Sequence, residues 1–230
     1  MTAFSADSIE STTVVGYQQI ATPQGFSMRS ATFKATSGDL KISDITVTGA
    51  GGAGGDYVQK INADGTWGEM YCYLTMEGSG WLEDGWYLGD QETPVSDDDV
   101  LKKGEALMVT AASDISFTFA GEVIAGTPNV SVLTGFSMKG NPLPNTIKIS
   151  EIKVTGAGGA GGDYVQKINA DGTWGEMYCY LTMEGSGWLE DGWYLGDQET
   201  PVSDTDVLKP GEGLMVTASA DLTITFPAAL

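Results

Sequence analysis

The chain has 230 residues, enough for two units of about 100 residues that each bury a core. Acidic residues outnumber basic ones 31 to 11, a net charge of −20 with Arg29 the only arginine, which excludes a nucleic-acid footprint and adsorption to an anionic membrane. There is no histidine, so Ser-His-Asp, Cys-His and His-metal chemistry are excluded together.

The strongest sequence feature is a repeat. Val47–Asp97 recurs without a change as Val154–Asp204, 51 residues at an offset of 107. That offset is too long for a solenoid period and predicts tandem domains. Cys72 and Cys179 are the only cysteines and occupy equivalent positions, so neither domain closes an internal disulfide. No run of about 18 or more apolar residues exists, so no spanning helix is expected. The residues after Met1 are polar and lack a signal-type apolar core, and the expectation is a mature exported form or a cytoplasmic one.

In chain order, residues 1–12 read as a polar N-terminal arm, and Thr13–Thr22 as the first strand, stopped by Pro23 and Gly25. Phe26–Lys34 and Leu40–Thr48 follow. In the latter, Leu40 and Ile42 share a face that Ile45 and Val47 resume one residue late, so a bulge or bend is expected at Ser43-Asp44. The run Gly49–Gly55 reads as a loop. It is not a phosphate cradle, because no Gly-Lys-Ser/Thr follows and Asp56 would repel phosphate. Asn62-Ala63-Asp64-Gly65 predicts a hairpin between Tyr57–Ile61 and Trp67–Glu77. The second of those strands alternates Met70, Cys72, Leu74 and Met76 against Tyr71, Tyr73 and Thr75, so the Met/Cys/Leu side is apolar and one of the two faces is expected to be less buried. Trp86–Leu88, Glu105–Thr110 and Ile115–Phe119 complete the set.

Short strands at turn-punctuated spacing predict an all-β protein of two tandem β-sandwich or jelly-roll-like domains, 13–125 and 126–230, joined at Gly126-Thr127-Pro128.

Three candidate chemistries emerge. The aromatic set Trp67, Tyr71, Tyr73, Trp81, Trp86 and Tyr87 recurs as Trp174, Tyr178, Tyr180, Trp188, Trp193 and Tyr194. Exposed, these rings would stack on sugars or anchor a protein contact; buried, they would fill the core. Trp86 and Trp193 read as core, whereas Trp81 and Trp188, flanked by glycine and acidic residues, read equally well as surface. The acidic loops offer calcium oxygens at Asp64, Glu69, Asp97 and Asp99, and at Asp171, Glu176, Asp204 and Asp206. An EF-hand-like pattern is nevertheless broken, since its first ligand would fall on Lys60. Cys72 and Cys179 read as buried, unreactive thiols.

Val14–Met28, Lys102–Val123 and Gly140–Leu143 together resemble uncharacterised secreted β-rich surface proteins of the verrucomicrobial bacterial group. In that family a GY-strand opens the module, an Asn-Pro-Leu turn follows, and PGEGF-type and TFxGEV-type strands close it. The second copy carries Pro210–Leu214 but ends on Phe226–Leu230 in place of the GEV ending. The first copy has Lys103 where proline is expected and Ala35-Thr36 in place of the Asn-Pro-Leu turn. The resemblance implies export and a non-enzymatic extracellular or cell-surface role, and supplies no catalytic or binding residues. On this reading the chain is a structural or adhesive protein that associates with itself or with other surface components. The alternative is a bivalent carbohydrate-binding protein with a glycan as partner.

Overall fold

The computed structural model describes residues 15–35, 38–49, 56–62, 64–75, 83–156, 163–169, 171–182 and 190–228. The chain is all-β, and no α-helix occurs among the described residues. The first half contains β1 (Val15–Thr22), β2 (Gly25–Ser30), β3 (Phe33–Lys34), β4 (Leu40–Lys41), β5 (Thr46–Thr48), β6 (Tyr57–Ile61), β7 (Trp67–Leu74), β8 (Gly85–Leu88), β9 (Val100–Leu101), β10 (Ala106–Ala111) and β11 (Ile115–Val123). The second contains β12 (Asn129–Val132), β13 (Gly135–Gly140), β14 (Ile147–Lys148), β15 (Lys153–Thr155), β16 (Tyr164–Ile168), β17 (Trp174–Leu181), β18 (Gly192–Leu195), β19 (Val207–Leu208), β20 (Gly213–Ala218) and β21 (Leu222–Thr225).

Two main antiparallel sheets and a two-stranded one, β4-β9, build the first half. One main sheet has the order β2-β10-β6-β7-β8; in the other, β11 pairs with β1, β3 and β5. The second half repeats them as β13-β20-β16-β17-β18, β12-β21-β15 and β14-β19, with no counterpart of β3 among the described residues. The main sheets meet face to face because strands of both are apolar at every second position. Val58, Tyr71, Trp86, Leu107 and Val109 from the larger sheet bury against Val47, Ile115, Phe117 and Phe119 from the smaller. Full burial of such side chains contributes about 1.5–3 kcal/mol each, which is what holds the layers together.

Two expected strands are interrupted, each for a physical reason. Phe26–Lys34 splits into β2 and β3 because the chain crosses there from the larger sheet to the smaller. Leu40–Thr48 splits at the expected bend, a single 3-10 turn over Ile42–Asp44 closed by Ile45 N–H donating to Ile42 O at 3.1 Å. That turn lets Ile42 and Ile45 both point into the core. The glycine runs 50–55 and 157–162 lie outside the described residues.

The expectation that one face of β7 is less buried is corrected, since Tyr71 on one side and Cys72 and Leu74 on the other are all buried. Tyr71 is the core residue, while Cys72 and Leu74 form a separate buried cluster with Tyr87 on the outer side of the sheet. The same holds for Tyr178 against Cys179, Leu181 and Tyr194. Both sides of this sheet are covered, so alternation alone does not tell the core face from the outer one.

The halves are joined by residues 124–128, which carry no regular structure, and they pack directly against each other. Met28, Ala106 and Met138 are buried between them, with Met108, Met215, Ile61 and Ile168 packed around. Contacts come in matched pairs, as a pseudo-twofold axis requires. Ser30 N–H donates to Gly211 O at 3.0 Å, and its counterpart Gly140 N–H donates to Gly104 O at 3.0 Å. The backbone of Arg29 forms an antiparallel bridge with that of Glu212, as the backbone of Lys139 does with that of Glu105.

Candidate functional site

The hairpins that lead into β7 and β17 position the first exposed aromatics. Asn62 N–H donates to Thr66 O at 2.8 Å and Gly65 N–H to Asn62 O at 3.0 Å. Gly65 has φ +80°, which glycine adopts without the steric cost of a side chain. Asp64 Oδ1 accepts from Thr66 N–H at 3.0 Å and from its hydroxyl at 2.6 Å, locking the turn. Trp67 and Trp174 follow these turns and are about half exposed, at 53% and 52%. The hairpin of each half lies against a phenylalanine of the other: a Cβ placed on Gly65 would stand 3.8 Å from Phe136 N, and one on Gly172 3.6 Å from Phe26 N.

Trp67 and Trp174 therefore belong to one surface. Both line a cavity of about 290 Å³ at the junction of the halves, together with Ile61, Phe136, Tyr164 and Met215. Phe26 and Phe136 add further exposed aromatic area at 52% and 53%. Neither phenylalanine was singled out by composition or motif. The signal was present in the sequence: Gly-Phe-Ser-Met occurs at 25–28 and again at 135–138, outside the identical stretch.

The other aromatic candidates are placed differently. Trp86 and Trp193 are core residues, as expected; each indole N–H donates at 2.7 Å, to Ile45 O and Ile152 O respectively. Tyr73 and Tyr180 are half-buried and meet those indoles edge-on, with centroids 5.3 Å apart in both copies. Tyr71 and Tyr178 are corrected from binding candidates to core residues, at 3% and 5% exposure. Their hydroxyls donate to Asp99 at 2.9 Å and Asp206 at 3.2 Å. Burial and then the charge of Asp206 push the Tyr178 phenol up to about 12; burial and the bond to Asp99 push Tyr71 up as well. Trp81 and Trp188 lie outside the described residues.

The acidic candidates serve their own loops. Asp97 pairs with Lys41 at 2.8 Å and Asp204 with Lys148 at 2.9 Å. Asp99 Oδ2 accepts from Ser96 N–H at 2.9 Å and Asp206 Oδ2 from Ser203 N–H at 2.7 Å. Asp171 holds Thr173 as Asp64 holds Thr66. Glu69 and Glu176 are exposed on β7 and β17. Among the described residues, no group of three or more Cys, Asp or Glu is arranged to hold a metal ion.

A further exposed feature is β1, which ends its sheet order and has no strand on its second side among the described residues. Tyr17 and Val15 on it are 78% and 64% exposed. No helix among the described residues is long and apolar enough to cross a membrane. Comparison with protein-family models, with curated proteins and with solved structures returns no match for this chain.

Proposed function

We propose that this chain is a non-catalytic structural or adhesive protein of an extracellular or cell-surface assembly, associating with further copies of itself. The observation that carries the reading is β1. It is eight residues long, Val-Gly-Tyr-Gln-Gln-Ile-Ala-Thr, at the end of its sheet, with no charge, no proline and two highly exposed apolar side chains. Edges that must stay single are usually blunted by lysine, proline, a bulge or short length, and β1 has none of these. The resemblance to secreted surface proteins supports the extracellular setting. Gln19 is exposed on β1 and accepts a lysine without touching the core. Wild-type protein should sediment as concentration-dependent assemblies that Gln19→Lys diminishes. Monomers alone, for both proteins over a wide concentration range, would sink the reading.

A second reading is favoured by a separate observation, the presence of both exposed tryptophans on one cavity. It makes the chain a glycan-binding protein with a single composite aromatic site, where stacking on a pyranose face would supply the affinity. Soluble oligosaccharides should then shift tryptophan fluorescence, and Trp67→Ala and Trp174→Ala should each abolish the shift. A blank response across a broad glycan panel rejects it.

A further inference from the structure

We propose that the surface joining the two halves is a coded docking surface for a second copy of this chain, fitting the first half of one molecule to the second half of another. Each half carries a complete set of complementary groups. The first half offers Arg29 and Glu105, the second Lys139 and Glu212, and backbone bridges set Arg29 opposite Glu212 and Lys139 opposite Glu105. The Coulomb attraction between them persists although burial lowers the pKa of Arg29 and Lys139. Met28 and Met108 face Met138 and Met215. By charge and methionine packing alone, any half would accept any other.

Two positions break this equality. At one, the first half has Ala106 where the second has Gly213, on which an added Cβ would lie 2.9 Å from the Ala106 Cβ. The other is tighter still. Where the first half has Ser30, the second has Gly140. A Cβ placed on Gly140 would lie 2.3 Å from both Cβ and Oγ of Ser30 and 2.8 Å from Glu212 O. Pairing two first halves would force two serine side chains into room for one, a backbone-flanked overlap that the interface relieves only by separating. Pairing two second halves would leave a gap and lose the Ser30 hydroxyl, which reaches Glu212 O at 3.2 Å and Asn141 O at 3.3 Å. The surface selects unlike halves.

Within one chain the unlike halves are linked by residues 124–128. Extended, five residues span at most about 17 Å. Swinging this segment outward exchanges the partner half for that of a neighbouring molecule while every contact across the surface is kept. Mutual exchange closes a two-chain ring, and one-way exchange propagates a head-to-tail chain. The use of such exchange in assembly rests on the reading proposed above, but the pairing does not involve the outer edge of β1.

The test keeps the two apart by working in a Gln19→Lys, Cys72→Ala, Cys179→Ala background. Chains bearing Arg29→Cys and chains bearing Glu212→Cys are unfolded together, refolded at high concentration and then oxidised. The expected product is a disulfide-linked dimer of one chain of each kind, increasing with refolding concentration. Chains with Arg29→Cys and Glu105→Cys, which report first-half pairing, should cross-link at least about tenfold less. If the mixed chains give no dimer while one chain carrying both Arg29→Cys and Glu212→Cys closes its internal bond, the exchange is overturned. Equal cross-linking in the two mixtures overturns the Ser30–Gly140 code. Neither failure bears on assembly through β1, which the wild-type and Gln19→Lys comparison reads separately.

Discussion

The indole N–H of Trp86 donates to the carbonyl of Ile45 at 2.7 Å, tying β8 to the residue that closes the 3-10 turn after β4. Trp193 and Ile152 repeat the bond at the same distance. The turn exists because Leu40, Ile42, Ile45 and Val47 must all reach one core, and the indole satisfies the carbonyl left over where the strand pattern slips. Trp86→Phe keeps an aromatic ring but leaves Ile45 O buried without that donor. The expected loss is about 2–4 kcal/mol, from the unmet carbonyl and the volume removed. Chemical denaturation of Trp86→Phe and Trp193→Phe measures it, and a change near zero in both would contradict the role assigned to the bond.

The junction of the halves should be as sensitive to a single methyl group as the core is. Gly211 has φ +76°, and a Cβ there would stand 1.9 Å from Cδ1 of Ile20; Gly104, at φ +74°, would meet Cγ2 of Val130 at 2.3 Å. Gly211→Ala therefore combines a left-handed backbone cost with an overlap, together about 2–4 kcal/mol. Adding Ile20→Ala should recover the steric part and leave the backbone part. Thermal melts of the single and double variants separate the two, and full recovery would show that the φ requirement is weak.

Much of this fold is legible in the sequence, and the exceptions have a common cause. Ile115, Phe117 and Phe119 alternate against Ser116 and Thr118, and β11 does bury the first set. The Asn62–Gly65 hairpin and the bend at Ser43-Asp44 also fall where local chemistry puts them, because one or two residues decide each. Tyr71 and Cys72 were not separable in this way. Both faces of β7 are buried, one by the smaller sheet and one by the outer cluster, so alternation marks two sides without saying which is inner. Of the site candidates, Trp67 and Trp174 are exposed as a binding role requires, but their convergence depends on how the halves pack. Asp64, Asp97 and Asp99 have the composition of a cation site and the geometry of turn acceptors and an ion pair, a distinction that only coordinates make.

Cys72 and Cys179 are free and buried, and burial, with the charges of Asp90 and Asp197 behind it, raises both thiols above their ordinary pKa. Thiolate is the reactive form, so both effects slow reaction. A thiol reagent such as Ellman's should label neither residue in the native protein on the timescale of minutes and both on unfolding. Rapid native labelling of either one would place it at the surface.

Stability should hold between about pH 5 and pH 9 and fall on both sides, for two separable reasons. On the acid side, hydroxyl and backbone donors of Thr66, Thr93, Thr173 and Thr200 lower the pKa of Asp64, Asp90, Asp171 and Asp197. Asp206 is lowered too, since the donors on Ser203 and Tyr178 outweigh its partial burial. A carboxylate depressed on folding contributes stability that is present above its unfolded pKa and is lost as pH falls through the folded one. On the alkaline side the sign reverses. The Tyr178 phenol is pushed up to about 12 and Tyr71 is raised by the same causes, so folding favours the neutral phenols. Their contribution is complete below the ordinary phenol pKa of about 10 and disappears as pH rises through the folded values. Urea midpoints measured across the range should trace this plateau. Tyr71→Phe/Tyr178→Phe should flatten the alkaline limb and leave the acid limb standing apart from the share of Asp206, which loses its Tyr178 donor. The threonine-bound aspartates do not depend on either tyrosine; an unchanged alkaline limb would remove the tyrosines from the account.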